Sequence, residues 1–432
     1  MRGRVAMLSE HASPLALLGG EDCGGQNVYV DEIARHLAKR GYAVDVFVRR
    51  ASPDAAEIVN WAPRVRVVHL DAGPAAALSK DAMWPHMPAF RDALLRFAAR
   101  EGAGYDVLHG NFWMSGWAAI EARRPLGAPV VQVFHALGTT KRRHQRDQDG
   151  SPPARIAVEA AVAREADLVI APCPSEADVL VEDYGADGER IAQIPLGVNL
   201  ARFRPIDRRE ARARLGIAGD AIVAVYVGRI LPRKDVRNVV RALALLQRDG
   251  AHGRAQTALR LVVVGGETEE PDERATPELG ELSQLARELG VRDRVTFIGK
   301  RQPDDLALYY GAADVAVTTP HYEPFGLTPL EAMACARAVV GSAVGGITYT
   351  VRDGENGLLV PPRDPHALAR ALAYLADQPS LRERMGAAGR ARVEREFRWD
   401  IVAARTAGWY ERLRARASRA RVLRRAASGG AR

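Results

Sequence analysis

Short apolar runs separated by amphipathic stretches recur along this chain, and that alternation limits the possible fold more than any other feature. The first run, "RVAML" (4–8), leads into a glycine-rich turn, "GGEDCGGQN" (19–27). The stretch that follows places Val30, Ile33, Ala34, Leu37 and Ala38 on one helical face, and Gly41 closes it. "YAVDVFV" (42–48) reads as the next strand. The rhythm continues through "VRVVHL" (65–70), a helix near 86–101, "DVLHG" (106–110) and a helix near 114–124. "PVVQVFHA" (129–136), a helix near 153–166, "DLVIAP" (167–172) and a helix near 175–184 complete the first half. Short buried strands alternating with helices call for a parallel sheet covered on both faces.

"IPLGVNLARFRP" (194–205) breaks the rhythm and reads as a linker, after which the pattern restarts. "AIVAVYVG" (221–228) precedes a helix at 235–248. "LRLVVVGG" (259–266), "VTFIG" (295–299), "VAVTT" (315–319), "AVVGS" (338–342) and "GLLVPP" (357–362) are further strands, with helices near 365–377 and 379–395. The expected architecture is α/β, with two doubly wound Rossmann-like domains facing each other across a cleft. Open parallel sheets take ligands beyond the carboxyl ends of their strands, so such a cleft suits two substrates. The expected domains are 1–198 and 199–395, a helix at 396–413 returning to the first domain, and a disordered basic tail at 414–432.

Charge and cysteine usage narrow the function. The net charge is +8, but residues 411–432 hold eight arginines and one glutamate, so the rest of the chain is close to neutral. A near-neutral body argues against nucleic acid as a partner. The arginine-rich tail is suited to weak contact with an anionic membrane surface, or to none. Cys23, Cys173 and Cys335 are far apart and lack metal-ligand spacing, which fits a reducing cytoplasm. No stretch approaches a membrane span. The basic residues are 56 arginines and five lysines, Lys39, Lys80, Lys141, Lys234 and Lys300. Lysine is a point charge that suits phosphate, so these exceptions draw notice in an arginine-rich chain.

Three stretches carry chemistry. "CGGQN" (23–27) lies between the first strand and first helix. It lacks the dinucleotide fingerprint but lets the backbone at Gly24 and Gly25 approach an anion at a helix N-terminus. "GRILPRKD" (228–235) puts Arg229 and Lys234 after the first strand of the second domain, where a diphosphate would lie. "HYEPFGLTPLE" (321–331) offers the amides of Phe325, Gly326, Leu327 and Thr328 at a helix start, between two carboxylates, Glu323 and Glu331. Carboxylates are acceptors suited to sugar and ribose hydroxyls.

These strings, with "GSAVGGITYTVRDGENGLLVPPRD" (341–364), resemble retaining nucleotide-sugar glycosyltransferases of the two-domain GT-B fold. "LSKDAMWPHMPAF" (78–90), "HGNFWMSGW" (109–117) and "HALGTTK" (135–141) resemble two branches of that family. One is the sucrose-phosphate synthases, the other the inositol-phosphate N-acetylglucosaminyltransferases of mycothiol synthesis. The resemblance covers residues 3–410. It implies that Arg229 and Lys234 hold the donor diphosphate, that Glu331 binds the ribose, and that Glu323 lies near the donor sugar. It also implies that Gly25 touches the diphosphate, that Gln26 or Asn27 touches the acceptor, and that His135 stands beside the anomeric carbon. Lys80, Lys141 and Arg155, in loops or at a helix start beyond first-domain strands, are expected to bind an acceptor phosphate. The family works without cofactor and usually without metal, so none is expected.

There are departures. Asp235 stands where Gly or Asn is common, and Phe112 and Ala136 stand where the inositol-phosphate branch has Tyr and Thr. The expected reaction is retaining transfer of a hexose from a nucleotide-diphosphate sugar, UDP by default, to a small phosphorylated acceptor such as a sugar phosphate. Alternatives are transfer to a lipid or glycan at a membrane surface, 2-epimerisation of a nucleotide sugar, and non-catalytic nucleotide-sugar binding. The oligomeric state stays open.

Overall fold

The computed structural model describes residues 2–16, 24–145, 149–219, 221–248 and 259–429. The chain divides into two units. One contains the described residues up to Pro195 together with the helix that begins at Trp399, and the other runs from Leu196 to Arg398.

The first unit holds β1 (Gly3–Leu8), β2 (Tyr42–Arg49), β3 (Ile58–Ala62), β4 (Val65–Leu70), β5 (Val107–Asn111), β6 (Val130–Val133), β7 (Leu168–Ala171) and β8 (Ile191–Gln193). Their order is β3-β4-β2-β1-β5-β6-β7-β8, parallel throughout except for the β3–β4 pair. β3 and β8 were not expected: one is a half-exposed edge strand and the other has three residues, so neither carries the long apolar run of a central strand.

The second unit holds β9 (Ile222–Val227), β10 (Leu259–Val264), β11 (Val295–Gly299), β12 (Val315–Thr318), β13 (Ala338–Ser342) and β14 (Gly357–Val360). These are ordered β11-β10-β9-β12-β13-β14 and are all parallel. Strand order reverses between β1 and β5 in one sheet and between β9 and β12 in the other. Those are the two places where an open sheet leaves a crevice.

Each sheet is sandwiched in its own apolar core. Phe47, Phe90, Phe97 and Trp113 anchor the first, and Tyr226, Leu243, Leu261 and Leu368 the second. The closing helix runs unbroken from Trp399 to Gly429, with no change at 413/414 where a disordered tail was expected. Its alanines and arginines are strong helix formers. It packs on the Gly25–Lys39 helix: Tyr410 is fully buried and hydrogen-bonds His109 Nδ1, and Arg414 pairs with Asp106 at 3.0 Å. No described helix is long and apolar enough to cross a membrane. Cys173 and Cys335 are buried and form no disulfide among the described residues, while Cys23 lies outside the described residues, as does the turn from 17 to 22.

Candidate active site

The second unit's switch point carries the densest chemistry. After β9 the chain turns through Gly228 and Arg229 into a short helix, Pro232–Lys234. After β12 it runs through Glu323 to Gly326, which starts the Leu327–Ala334 helix. Lys234 Nζ donates to Glu323 Oε2, so one ion pair ties the two loops together. Both side chains are largely covered. Burial lowers the Lys234 ammonium from its ordinary range, against the pull of Glu323. Burial alone would raise the Glu323 carboxyl, but the Lys234 and Arg233 charges outweigh it and hold the group below the usual carboxylate range. Glu323 is therefore ionised and can only accept hydrogen bonds. Arg229 sits at the mouth of β9, and its carbonyl accepts from Tyr226 at 2.7 Å.

Glu331 falls in the second turn of the helix after Gly326. Tyr310 donates to its Oε2 at 3.0 Å. Burial pushes the Glu331 carboxyl up to about 7. Phe325 sends its ring into the core against Tyr349 and Phe397, which leaves its backbone at the helix start with those of Gly326, Leu327 and Thr328. Gly326 adopts a φ of 88° that glycine tolerates best.

Gly345 and Gly346 have a role that their sequence context does not assign. A Cβ on Gly345 would lie 2.2 Å from the Glu323 carbonyl oxygen, and one on Gly346 would lie 2.3 Å from Phe325 Cα. Gly346 N–H donates to that same Glu323 carbonyl at 3.0 Å. These two glycines pin the loop that carries Glu323. The doubled glycine after β13 was the available signal.

In the first unit, His135 follows β6 with a φ of 60°, and Phe112 follows β5 with a φ of 79°. Backbone held in this region by a residue with a Cβ is strained, and such strain gathers at functional edges. Asn111 Nδ2 donates to Leu8 O at 3.2 Å, which turns its Oδ1 toward His135 Nε2 at 3.1 Å. His135 Nε2 thus carries the proton and Nδ1 keeps a lone pair. Burial, with lesser effects from His109 and His11, lowers His135 to about 3, so the imidazole is neutral. Glu10 and His11, just beyond β1, were missed. Glu10 is buried and meets His11 at 2.7 Å and Ser115, and His11 stacks edge-on against Phe112.

The proposed acceptor residues divide. Asn27 is buried: its Oδ1 accepts from Gly24 N–H and its Nδ2 donates to Ser13 O, both at 3.0 Å. That amide is committed to the chain's own turn. Gln26 is partly exposed and reaches Ser9 and the Asn111 carbonyl. Gly25 is exposed, and among the described residues a Cβ at Gly24 would meet nothing within 4 Å.

Lys141 lies on the Gly138–Gln145 helix rather than in the expected loop, and its Nζ reaches Asp149 and Ser151, each at 2.9 Å. Arg155 is 2% exposed. It donates to Glu159 at 2.8 Å, to Ser151 at 3.1 Å and to the Ala136 carbonyl at 2.9 Å. Lys80 opens a short helix, Lys80–Ala82, whose Asp81 carboxylate comes within 3.8 Å of where a Gly150 Cβ would be. The structure therefore brings the elements carrying Lys80, Lys141 and Arg155 together around 149–151. Among the described residues no cluster of His, Cys, Asp and Glu could hold a metal ion.

Two doubly wound sheets, each with its chemistry at a switch point, define a GT-B glycosyltransferase architecture. The chain matches the family models "Glycosyltransferase Family 4" over residues 23–202 and "Glycosyl transferases group 1" over 207–392. The chain belongs to this glycosyltransferase family. It is 42% identical over 399 residues to the D-inositol 3-phosphate glycosyltransferase of Acidothermus cellulolyticus, covering 92% of this chain and 87% of that one. It is likewise 42% identical to the enzyme of the same name from Actinosynnema mirum, covering 92% and 94%. Among solved structures, the sucrose-phosphate synthase of Thermosynechococcus elongatus superposes with a TM-score of 0.86 at 34% identity, covering 96% and 99%.

Proposed function

We propose that this glycosyltransferase moves a hexose unit, with retention at the anomeric carbon and without a metal, from a UDP-sugar to a phosphorylated polyol. Inositol phosphate is the first acceptor to test and a hexose phosphate the second. The Lys234–Glu323 pair at the β9/β12 switch point carries the reading. A diphosphate arriving there competes for Lys234 and frees Glu323 to accept hydrogen bonds from the donor sugar. Arg229, Lys234 and the amides of Phe325 to Thr328 then face the charge that grows on the leaving diphosphate. Such preorganised donors are typically worth about 10²–10³-fold each in rate. Glu331 takes the ribose hydroxyls, and Gly24 and Gly25 let the backbone approach the diphosphate.

The neutral His135 cannot supply charge. Its role is to accept or donate one hydrogen bond beside the reacting carbon. For the acceptor, Gln26 contacts the polyol and Lys80 and Lys141 take its phosphate, while Arg155, expected from the sequence to join them, is buried against Glu159 and holds Ser151 beside Lys141. The names of the relatives support this choice, since one group acts on inositol 3-phosphate and the other makes a sucrose phosphate. The domains follow the same division, with acceptor binding in the first unit and donor binding in the second.

The test is a matrix of UDP-, ADP- and GDP-sugars against inositol 3-phosphate, inositol, a hexose 6-phosphate and the free hexose, with and without a chelator. Turnover with a phosphorylated acceptor, unaffected by the chelator and giving a product of unchanged anomeric configuration by NMR, is the expected result. Equal use of phosphorylated and unphosphorylated acceptors would overturn the acceptor assignment.

A further inference from the structure

A second concave site lies in the second unit beside the donor loops. It is a cavity of about 320 Å³ lined by Pro232, Asp235, Arg237, Asn238, Arg241, His321 and Arg363. It draws on the same two loops that carry Lys234 and Glu323, yet its lining takes the neighbours Asp235 and His321 and leaves that pair out. Asp235 and His321 make their own contact at 3.2 Å, and the His321 backbone N–H donates to the Arg233 carbonyl at 2.8 Å, so the loops are tied together on this side as well.

The lining is basic. It holds three guanidiniums and one carboxylate. Arg237 is already matched by Glu278 at 2.7 Å and Glu281 at 3.5 Å. Arg241 and Arg363 are exposed and form no ion pair with a carboxylate within 4.0 Å among the described residues. Arg363 donates to His321 Nδ1 at 3.2 Å, which leaves His321 Nε2 to face Asp235.

The Val236–Arg248 helix begins at this cavity, and the Pro365–Asp377 helix begins two residues after Arg363. Helix starts add positive potential. A further observation points to a ligand. Asn238 is 1% exposed, lines the cavity, and its Nδ2 has no hydrogen-bond partner among the described residues. A buried amide donor without an acceptor is costly and rare.

Asp235 sharpens the picture. It holds a φ of 51°, where glycine or asparagine would be at ease, and Arg363 holds 59°. The chain keeps charged residues at both strained positions on the rim of one cavity.

We infer that this cavity binds the phosphate group of a small phosphorylated molecule, separately from the donor and acceptor sites. The fork-shaped guanidiniums of Arg241 and Arg363 match phosphate oxygens, and Asn238 Nδ2 supplies a neutral donor deeper in the cavity. Asp235 is the one group in the lining that opposes an anion, and its pairing with His321 moderates that opposition.

The experiment is a calorimetric titration of the full chain with inorganic phosphate. It compares the wild type, the double variant Arg241→Gln/Arg363→Gln, and Asp235→Asn. Phosphate taken up at the other sites is common to all three proteins and cancels in the comparison. Both arginines are exposed and outside the catalytic machinery, and asparagine tolerates the left-handed backbone at 235, so all three proteins are expected to fold.

The expected result is one binding event that weakens at least about tenfold in the double variant, in line with the loss of charged hydrogen bonds. The same event tightens in Asp235→Asn, because the opposing carboxylate is gone. Superimposable titrations of wild type and double variant would overturn the site. So would weaker binding in Asp235→Asn, since the carboxylate would then be helping rather than opposing the ligand.

Discussion

The two sheets solve one problem in different ways. Each places cations where a phosphate is proposed to bind, and each supplies internal carboxylates as their partners. In the second unit the partner is Glu323, itself proposed as a site residue, on a loop pinned by Gly345 and Gly346. In the first unit there are two partners, Glu159 for Arg155 and Asp149 for Lys141. Glu159 is a fixture: it is fully buried and also accepts from Tyr184 at 2.6 Å and from Gly138 N–H at 2.9 Å. Asp149 sits beside Gly150 and Ser151, on no regular element. On the proposed function these are three kinds of ion pair: one that holds the fold, one that shares in the chemistry, and one that a ligand displaces.

The fold-holding pair gives the largest expected effect. Arg155→Ala leaves the Glu159 carboxylate buried without its partner, which typically costs about 3–5 kcal/mol. Thermal or denaturant unfolding of the variant should show a loss of that size. If stability is unchanged, Arg155 is free for ligand and the distinction between the two pairs in the first unit fails. Next comes the chemical pair. Lys234→Ala should reduce turnover by about 10²–10³-fold, the range for one lost oxyanion-type donor. Glu323→Gln, which keeps the shape and removes the charge, should also lose activity while still folding. Near-normal turnover in Lys234→Ala would remove the ion pair from the donor site.

Much of this was legible in the sequence, for identifiable reasons. Central strands such as "VRVVHL" and "VTFIG" have apolar runs bounded by turn residues, and β4 and β11 match those runs residue for residue. Lys234 and Glu323, 89 residues apart, could be grouped because both follow strands of one parallel sheet. What the sequence hid was hydrogen-bond partnership. Nothing near Asn27 announced that Ser13 and Gly24 would claim its amide. Arg155 and Glu159 stand four apart on one helix, so that pair could have been read, but its burial depends on the neighbouring Tyr184. Lys141 follows "VVQVFHALG" in a stretch, "GTTKRRHQ", with almost no apolar face to signal a helix, and that stretch nonetheless forms a helix that packs on the next one.

A pH profile tests the donor side more finely. Burial raises Glu331 to about 7, so the carboxylate proposed to accept ribose hydroxyls is lost as pH falls through that value. The raised value means that folding disfavours the ionised form. Its contribution to stability is therefore fully present at low pH and is lost as pH rises through about 7, the opposite sense to donor binding. KM for the donor should rise roughly tenfold from one unit above this value to one unit below it, since a single carboxyl is titrating. Glu331→Gln should flatten that dependence and start from weaker binding. Parallel profiles for wild type and variant would detach Glu331 from the ribose.

The smallest effect belongs to the displaceable pair, and it has an unusual sign. The Asp149 carboxylate is nearly covered and meets Lys141 at 2.9 Å. Burial alone would raise that carboxyl, but hydrogen bonds from Ser151 and Lys141, with the Lys141 charge, outweigh it and keep the group below the usual range. An acceptor phosphate must compete with this built-in anion for Lys141. Asp149→Asn keeps the hydrogen-bond geometry and removes the competing charge. The variant should therefore use a phosphorylated acceptor at a lower KM, by roughly two- to fivefold for a partly exposed pair worth up to about 1 kcal/mol. kcat and donor KM should not change. The unphosphorylated acceptor serves as the control, since its KM should be the same in both proteins. A higher KM for the phosphorylated acceptor would make Asp149 a support for Lys141 instead of its competitor, and both first-unit carboxylates would then hold structure.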